Sequence, residues 1–531
     1  MFAKVAPIRR FPRSAQPYDY RIPEGLTVNV GSFVEITLRG KPERGIVTEL
    51  MDSSSIKRLA DVVKVYDIDP LTENDLLFYR ALARRTYQSL SSVLHAAIPE
   101  FLKRATTRTE LKLVPIPMSI QSSQVEALKT IVAKTSSQDH QTVAIPSDRF
   151  SISVIVSMLR SSDDPILAIC PDVNMMREVA NAAASVTDSI EIFGGSMNKT
   201  QAIDGWNAIR SGSHKLVIAS RIGALIPPDA KTRVVVIVCG EDDHSQSDQN
   251  PHYDVRWCVQ ARQETHENKT VLLGTLPRLE DGDLTDDFWA RPEVDVVNMK
   301  DARRSSDSYH ISDKAQELIS SADTETRPLF IYFNRKPSDE GKRTTNRDIA
   351  SELHRLFPAK VIRVVEANDP MPTSGIVIVT NMLLYNVSFI AQSLSGLIIV
   401  NAEHPFVYRD FRSLEIAARV TRRLVSWALS GRSPVVVQTI NPAVINEALG
   451  STSVFCTKES SMRKRLGYPP FGEIHVLKTK EDLELAESFR ATHEGARGER
   501  GEVIVKLGAG EVIEEWFTYP PSSDIAVNPD N

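Results

Sequence analysis

Across residues 1–70 apolar and polar positions alternate, as in Phe33-Val34-Glu35-Ile36-Thr37-Leu38, between turn sequences at Pro23-Glu24-Gly25 and Arg39-Gly40-Lys41-Pro42. A period of two marks half-buried strands, so this stretch predicts a small antiparallel β domain. From Glu73 to Lys103 the period lengthens: Leu76, Leu77, Tyr79, Leu82 and Ala83 recur at helical spacing, with Thr72 or Asp75 as the capping residue. Thr106 to Pro117 is polar and proline-broken and reads as a linker before a helix near Ser122 to Lys134, which sets a domain boundary near residue 112. Beyond it, short apolar strands alternate with amphipathic runs, at Ile166–Ile169, Leu216–Ala219, Val234–Val238 and Val271–Leu273. The alternation restarts at Pro328–Phe333 and continues through Val361–Val365, Ile376–Val379, Leu397–Val400 and Val435–Gln438. It predicts two successive parallel sheets with helices on both faces. Asp281 to Asp323, rich in Asp, Ser and Arg, is expected to be partly loop, and Pro520 to Asn531 to be frayed.

With 42% hydrophobic and 25% charged residues over 531 positions, the chain has the composition of a soluble protein of three or four domains. No window approaches the roughly 18 apolar residues of a membrane span, and the basic residues between Met1 and Arg13 lead into no signal-peptide core. A cytoplasmic location without membrane contact is expected. Cysteines at 170, 239, 258 and 456 form no Cys-x-x-Cys pair, which argues against a zinc site or disulfide framework. The net charge of −5 is uneven: residues 1–113 hold 18 Lys and Arg against 13 Asp and Glu, so the front is basic and the remainder acidic. A polyanion is therefore expected to meet the front of the chain.

The run Val234–Val238 stops at Cys239-Gly240 and is followed at once by Glu241-Asp242-Asp243-His244. An acidic cluster at the carboxyl end of a buried strand is how nucleotide-driven motors hold Mg²⁺ and a water. Yet no G-x-x-x-x-G-K-[ST] segment occurs in the chain to cradle the phosphates.

Three strings make a comparison specific: Gln16-Pro17-Tyr18-Asp19-Tyr20-Arg21-Ile22-Pro23-Glu24-Gly25, then Asp410-Phe411-Arg412-Ser413-Leu414-Glu415 ahead of Val435 to Pro442, then Arg463-Lys464-Arg465-Leu466-Gly467-Tyr468-Pro469-Pro470-Phe471. With Pro328 to Arg335 and Thr380-Asn381-Met382-Leu383 in order between them, the chain resembles primosomal protein N′, the PriA replication-restart helicase family. The resemblance implies an α/β fold in four parts. These are a small N-terminal β-rich DNA-binding domain (1–112), two tandem RecA-like parallel α/β helicase lobes (113–290 and 291–455) and a short α+β C-terminal domain (456–531). It also implies a pocket for the 3′-terminal nucleotide, with Tyr18 packing against it, Asp19 accepting from the 3′ hydroxyl and Gly40 as the pocket glycine. The family's pocket lysine falls at Ala60, which leaves Lys57, Arg58 or Lys64 to supply positive charge. A carboxylate accepts hydrogen bonds only, so it welcomes a hydroxyl and repels a terminal phosphate. Arg9, Arg13, Lys41 and Arg44, with Arg10 and Arg39, are candidate contacts to flanking phosphates. Arg463, Lys464 and Arg465 read either as DNA contacts or as a solvated helix start.

Departures from that family are as informative. At its phosphate loop this chain reads Ala144-Ile145-Pro146-Ser147-Asp148-Arg149-Phe150-Ser151, with Phe150 in the lysine position. Glycines there let the backbone aim its N–H groups at phosphate, and Pro146 removes one N–H outright. The acidic box, Glu241, Asp242, Asp243 and His244, keeps its charge but exchanges chain lengths. The segment Leu424–Ser430 sets Trp427 and Ser430 where arginines would face the transferred phosphoryl group, a loss of roughly 10³–10⁵ in rate, with Gly431-Arg432 as the alternative of a shifted remnant and core packing as the simplest reading of Trp427 itself. The zinc-binding insertion is missing, since Phe333-Asn334-Arg335-Lys336 runs on to Arg343-Thr344-Thr345-Asn346 without a cysteine.

The expectation is a DNA-binding replication-restart scaffold with no catalytic residue, no cofactor and no zinc. It would recognise forks, primer 3′ ends and single strands and nucleate helicase reloading, with single-stranded-DNA-binding protein and helicase-loading primosome proteins as partners by resemblance. The alternative is an active ATP- and Mg²⁺-dependent 3′-to-5′ helicase with a divergent nucleotide site. A metal-dependent nuclease at Glu241–His244 is the weakest reading.

Overall fold

The computed structural model describes residues 1–99, 113, 115, 124–135, 137–194, 197–238, 249–305, 308–333, 344–366, 369–380, 394–403, 411–479, 482–520 and 522–528. Among these residues the chain forms four sheets, and no helix is long and apolar enough to cross a membrane. The stretch Thr106–Pro117, read as a linker, lies outside them apart from residues 113 and 115.

The alternating front of the chain folds as β1 (Phe2–Pro7), β2 (Tyr18–Arg21), β3 (Phe33–Leu38), β4 (Lys41–Met51) and β5 (Val62–Val65), antiparallel, in the order β2-β1-β4-β3-β5. A further bridge between Arg21 and Asp61 joins β2 to the residue before β5, so the sheet curls into a small barrel around Ala3, Val5, Tyr20, Val34, Ile36, Val47 and Val62. Closure leaves little unpaired strand edge. Next come α1 (Glu73–Arg85) and α2 (Leu90–Ala97). Thr72 and Asp75 both cap α1, each side chain accepting from the other's backbone N–H, at 3.1 and 2.9 Å.

The first parallel lobe runs through α3 (Val125–Lys134), β6 (His140–Ala144), α4 (Asp148–Ser161), β7 (Ile166–Ile169), α5 (Val173–Ala183), β8 (Ile190–Phe193), α6 (Lys199–Ser211), β9 (Leu216–Ala219), β10 (Arg233–Ile237), α7 (Val255–Gln263), β11 (Thr270–Gly274) and β12 (Leu284–Asp287). Its strand order is β12-β6-β11-β10-β7-β9-β8. The barrel and its helices share one apolar core with this lobe, where Phe33 meets Trp206 edge-on at 6.0 Å. Beside that contact Asp75 bonds His266 at 2.9 Å, and Arg210 donates to the carbonyls of Asp69 and Pro70.

The second lobe contains β13 (Asp295–Asn298), α8 (Met299–Ser305), α9 (Asp313–Ser321), β14 (Leu329–Tyr332), α10 (Asn346–Leu356), β15 (Ile362–Val364), β16 (Ile376–Val379), β17 (Gly396–Ile399), α11 (Ser413–Ser430), β18 (Val435–Thr439) and α12 (Pro442–Ala448), in strand order β13-β18-β17-β14-β16-β15. Asp281–Asp323, expected to be partly loop, supplies an edge strand to each lobe as well as α8 and α9. After α13 (Thr452–Leu466) the chain closes with β19 (Glu473–Lys478), α14 (Leu483–Thr492), β20 (Glu502–Leu507) and β21 (Asp524–Val527).

The expectation that Pro520–Asn531 is frayed is corrected for residues 524–527, while residues 521 and 529–531 lie outside the described residues. Residues 524–527 pair antiparallel with β19, and Ile525 and Val527 are buried in a core with Trp516. This last sheet docks on the junction of α1 and α2: Tyr87 bonds His475 at 2.7 Å, and Arg85 pairs with Glu473 at 2.6 Å.

Candidate DNA interface and nucleotide cleft

On the barrel β2 runs beside β1 in a register that sets Asp19 opposite Lys4 and Tyr18 opposite Val5. Tyr18 is 39% exposed and packs at 5.9 Å on Phe11, while Tyr20 points inward and donates to the Thr37 carbonyl. Asp19 is half-buried and accepts from the Ser54 hydroxyl at 2.5 Å. Gly40 and Arg39 form the two-residue turn of the β3–β4 hairpin with φ of +76° and +50°. Such turns need positive φ at both central positions, and a Cβ at Gly40 would meet nothing within 4 Å, so the turn conformation itself accounts for the glycine.

The candidate phosphate contacts divide by burial. Lys41 is exposed. Arg9 is also exposed, lying 3.4 Å from Glu43 and 5.8 Å above the Phe11 ring. Arg44 is half-buried and donates to the Pro99 carbonyl at 3.2 Å. Arg13 is a correction: it is 3% exposed and its guanidinium clamps the carbonyls of Tyr87 and Ser523, so it holds two distant segments together and cannot reach a phosphate. Burial lowers its pKa to about 10 against the opposing pull of Asp524.

In the first lobe the connection from β6 to α4 is only Ile145-Pro146-Ser147. Its geometry leaves little to hold a phosphate. The Ile145 N–H is spent on the Gly274 carbonyl at 2.9 Å, and Pro146 has none. Ser147 starts the helix without a side-chain cap, and the Phe150 N–H turns back to the Ser147 carbonyl at 2.9 Å. Phe150 is 2% exposed and packed in the lobe's core, and the Ser151 hydroxyl donates to the Asp148 carbonyl. Arg149 is half-buried and opposes the burial that raises the Glu178 carboxyl.

Asp148 stands in the first turn of α4, where the helix field favours an anion. Its Oδ2 lies 2.5 Å from the Nε of Arg423 on α11, and both side chains are below one-tenth exposed. A carboxylate in the first turn of this helix is thus paired with an arginine of the other lobe. Glu241, Asp242, Asp243 and His244 lie outside the described residues.

The arginine positions also need correction. Trp427 packs on Phe330 at 5.6 Å inside the second lobe, and Ser430 is exposed at the end of α11. The residues that face the first lobe are Arg419, Arg422 and Arg423, one helical face at spacing i, i+3, i+4. Arg419 donates to the Leu276 carbonyl at 3.1 Å and Arg422 to the Thr275 carbonyl at 3.0 Å. Three arginines spaced to share one face of a helix were the available signal. Nearby, Glu415 pairs with Arg463 at 2.7 Å and Arg419 at 3.1 Å, and Glu280 pairs with Arg412 at 2.6 Å. Burial would raise Glu415, but Arg463, Arg419 and Arg412 hold it well below the carboxylate range. Arg463, read as a DNA contact or a solvated helix start, is instead 1% exposed in the last turn of α13.

Residues 8–99 match the family described as the 3′DNA-binding domain (3′BD). The replication restart protein PriA of Rickettsia prowazekii is 25% identical over 281 residues, which cover 50% of this chain and 41% of that protein. Its counterpart from Rickettsia conorii is 22% identical over 357 residues, 60% of this chain and 52% of that one. The chain spans about half the length of these relatives. A structure of RecG bound to a three-way DNA junction overlaps 76% of this chain and 50% of its own, with 11% identity and a TM-score of 0.36. The chain is PriA-like.

Proposed function

We propose that this PriA-like chain binds DNA through its N-terminal barrel, at forks and primer 3′ ends, and serves as a nucleotide-independent scaffold for reloading a replicative helicase. The match of residues 8–99 to a 3′DNA-binding domain supports the ligand class, and exposed Tyr18 beside Asp19 supplies a stacking surface and a hydroxyl acceptor. The observation that carries nucleotide independence is the 2.5 Å Asp148–Arg423 pair. A triphosphate entering at α4 would find one N–H of the β6–α4 turn already bonded to the Gly274 carbonyl and another absent at Pro146. It would also have to take Arg423 from its partner. Single-stranded-DNA-binding protein and helicase-loading proteins are the proposed partners. The test is fork binding by fluorescence anisotropy with and without ATP and Mg²⁺, alongside DNA-stimulated hydrolysis. Fork affinity unchanged by ATP is expected, and hydrolysis abolished by Glu241→Gln would overturn the proposal.

A further inference from the structure

We infer that Ser54 is the positioning residue that gives the barrel its selectivity for a free 3′ hydroxyl, an inference that rests on the reading of Tyr18 and Asp19 as an end-binding site. Ser54 lies in the connection between β4 and β5, where the Ile56 N–H donates to its Oγ at 3.2 Å. That contact takes up an acceptor position on the hydroxyl and directs its proton to Asp19 Oδ2, 2.5 Å away. The connection is also anchored from β2. Arg21 grips Asp61 with two donors at 2.6 and 2.9 Å, and its backbone N–H donates to the Ala60 carbonyl at 2.9 Å. Ser54 is therefore held against the strand that carries Asp19.

The donor is neutral, and that decides the chemistry. Lys4 stands opposite Asp19 in the strand register, yet its ammonium goes to its other neighbour, Glu49, at 3.1 Å. Among the described residues no ion pair to Asp19 is formed. A lysine or arginine in Ser54's place would orient the carboxylate and also cancel its charge, admitting a terminal phosphate. A hydroxyl orients it and leaves the charge, while an ionised carboxylate keeps further lone pairs for a sugar hydroxyl. A 3′ phosphate, carrying about −1.5 to −2 charges, is then repelled by the same group that accepts from a 3′ hydroxyl.

The test uses the full chain and single strands ending in 3′ hydroxyl or 3′ phosphate, with circular single-stranded DNA as the endless control, all by anisotropy or competition. The wild-type chain is expected to prefer the hydroxyl end by roughly tenfold, about 1.4 kcal/mol. Ser54→Ala should bring that ratio to within about twofold, Ser54→Thr should restore it by returning the hydroxyl, and Ser54→Lys should tighten phosphate-ended strands selectively. Affinity for circular DNA should stay the same in Ser54→Ala and Ser54→Thr. If Ser54→Ala keeps the wild-type ratio, or weakens circular DNA as much as linear, the assignment to Ser54 is wrong while the end-binding reading stands. If the wild-type chain shows no preference, the end-binding reading itself fails and this inference with it.

Discussion

Replacing Asp148 by alanine removes a carboxylate 2.5 Å from the Arg423 guanidinium, which is 5% exposed between the lobes. Both partners are buried, so solvent screening gives little relief. Deleting one member of a buried pair leaves the other less well compensated, and each single change, Asp148→Ala or Arg423→Ala, is expected to cost about 3–5 kcal/mol. Removing both takes two buried charges away together, so the double variant should recover most of the loss, with a coupling energy of about 2 kcal/mol or more. A chain of several domains need not unfold in two states, so the assay is hydrogen exchange on peptides from α4 and α11 rather than a melting temperature. At about 1.4 kcal/mol per decade, the single variants should exchange roughly 10²- to 10⁴-fold faster there, and the double variant far more slowly than either. Additive single effects, with a coupling below about 0.5 kcal/mol, would refute the claim that the pair joins the lobes.

Three further outcomes follow. Lys41→Ala should weaken single-strand binding across sequences and flatten the slope of log affinity against log salt by roughly 0.7, whereas Arg13→Ala should leave that slope unchanged and speed exchange around Ser523. Glu473 gives a pH dependence. Burial raises its carboxyl, but His475 and Arg85 outweigh this and hold it at about 2, against an ordinary 4.5. Because the folded value is the lower one, its stabilisation is present above about pH 4.5 and lost as pH falls toward about 2. Acid should therefore release the last sheet from α1 and α2, measured as faster exchange at Tyr87 in that window, and Glu473→Gln should show the released state already at neutral pH.

The strands of the two lobes were legible because the interior ones are short runs of Val, Ile and Leu buried on both faces, as at Val435–Val437. The barrel was legible from its period of two, although its closure depends on Arg21 meeting Asp61, which no local pattern announces. Asp281–Asp323 is partly loop as expected, but the edge strands within it, β12 (Leu-Thr-Asp-Asp) and β13 (Asp-Val-Val-Asn), were not legible because they are half-exposed and their pairing is supplied by distant neighbours. The same cause hid β21, whose apolar positions matter only once β19 and Trp516 are in place. Of the candidate site, Tyr18, Asp19 and the filled loop before Phe150 were placed by the family resemblance, and Lys41 by its charge in the basic front of the chain. Arg13 could not be placed, since its partners lie 74 and 510 positions away. Nor could the role of Asp148, whose counter-charge sits 275 positions away on the other lobe.

The most direct test is a calorimetric titration of ATP with Mg²⁺ into the full chain bound to a forked DNA with a 3′ hydroxyl end, repeated with Asp148→Ala. The account predicts heats no larger than dilution for the wild-type chain and an unchanged fork affinity. Saturable one-site binding by the wild-type chain, lost in Arg423→Ala, would contradict it, because it would mean that the cleft accepts phosphate with Asp148 in place.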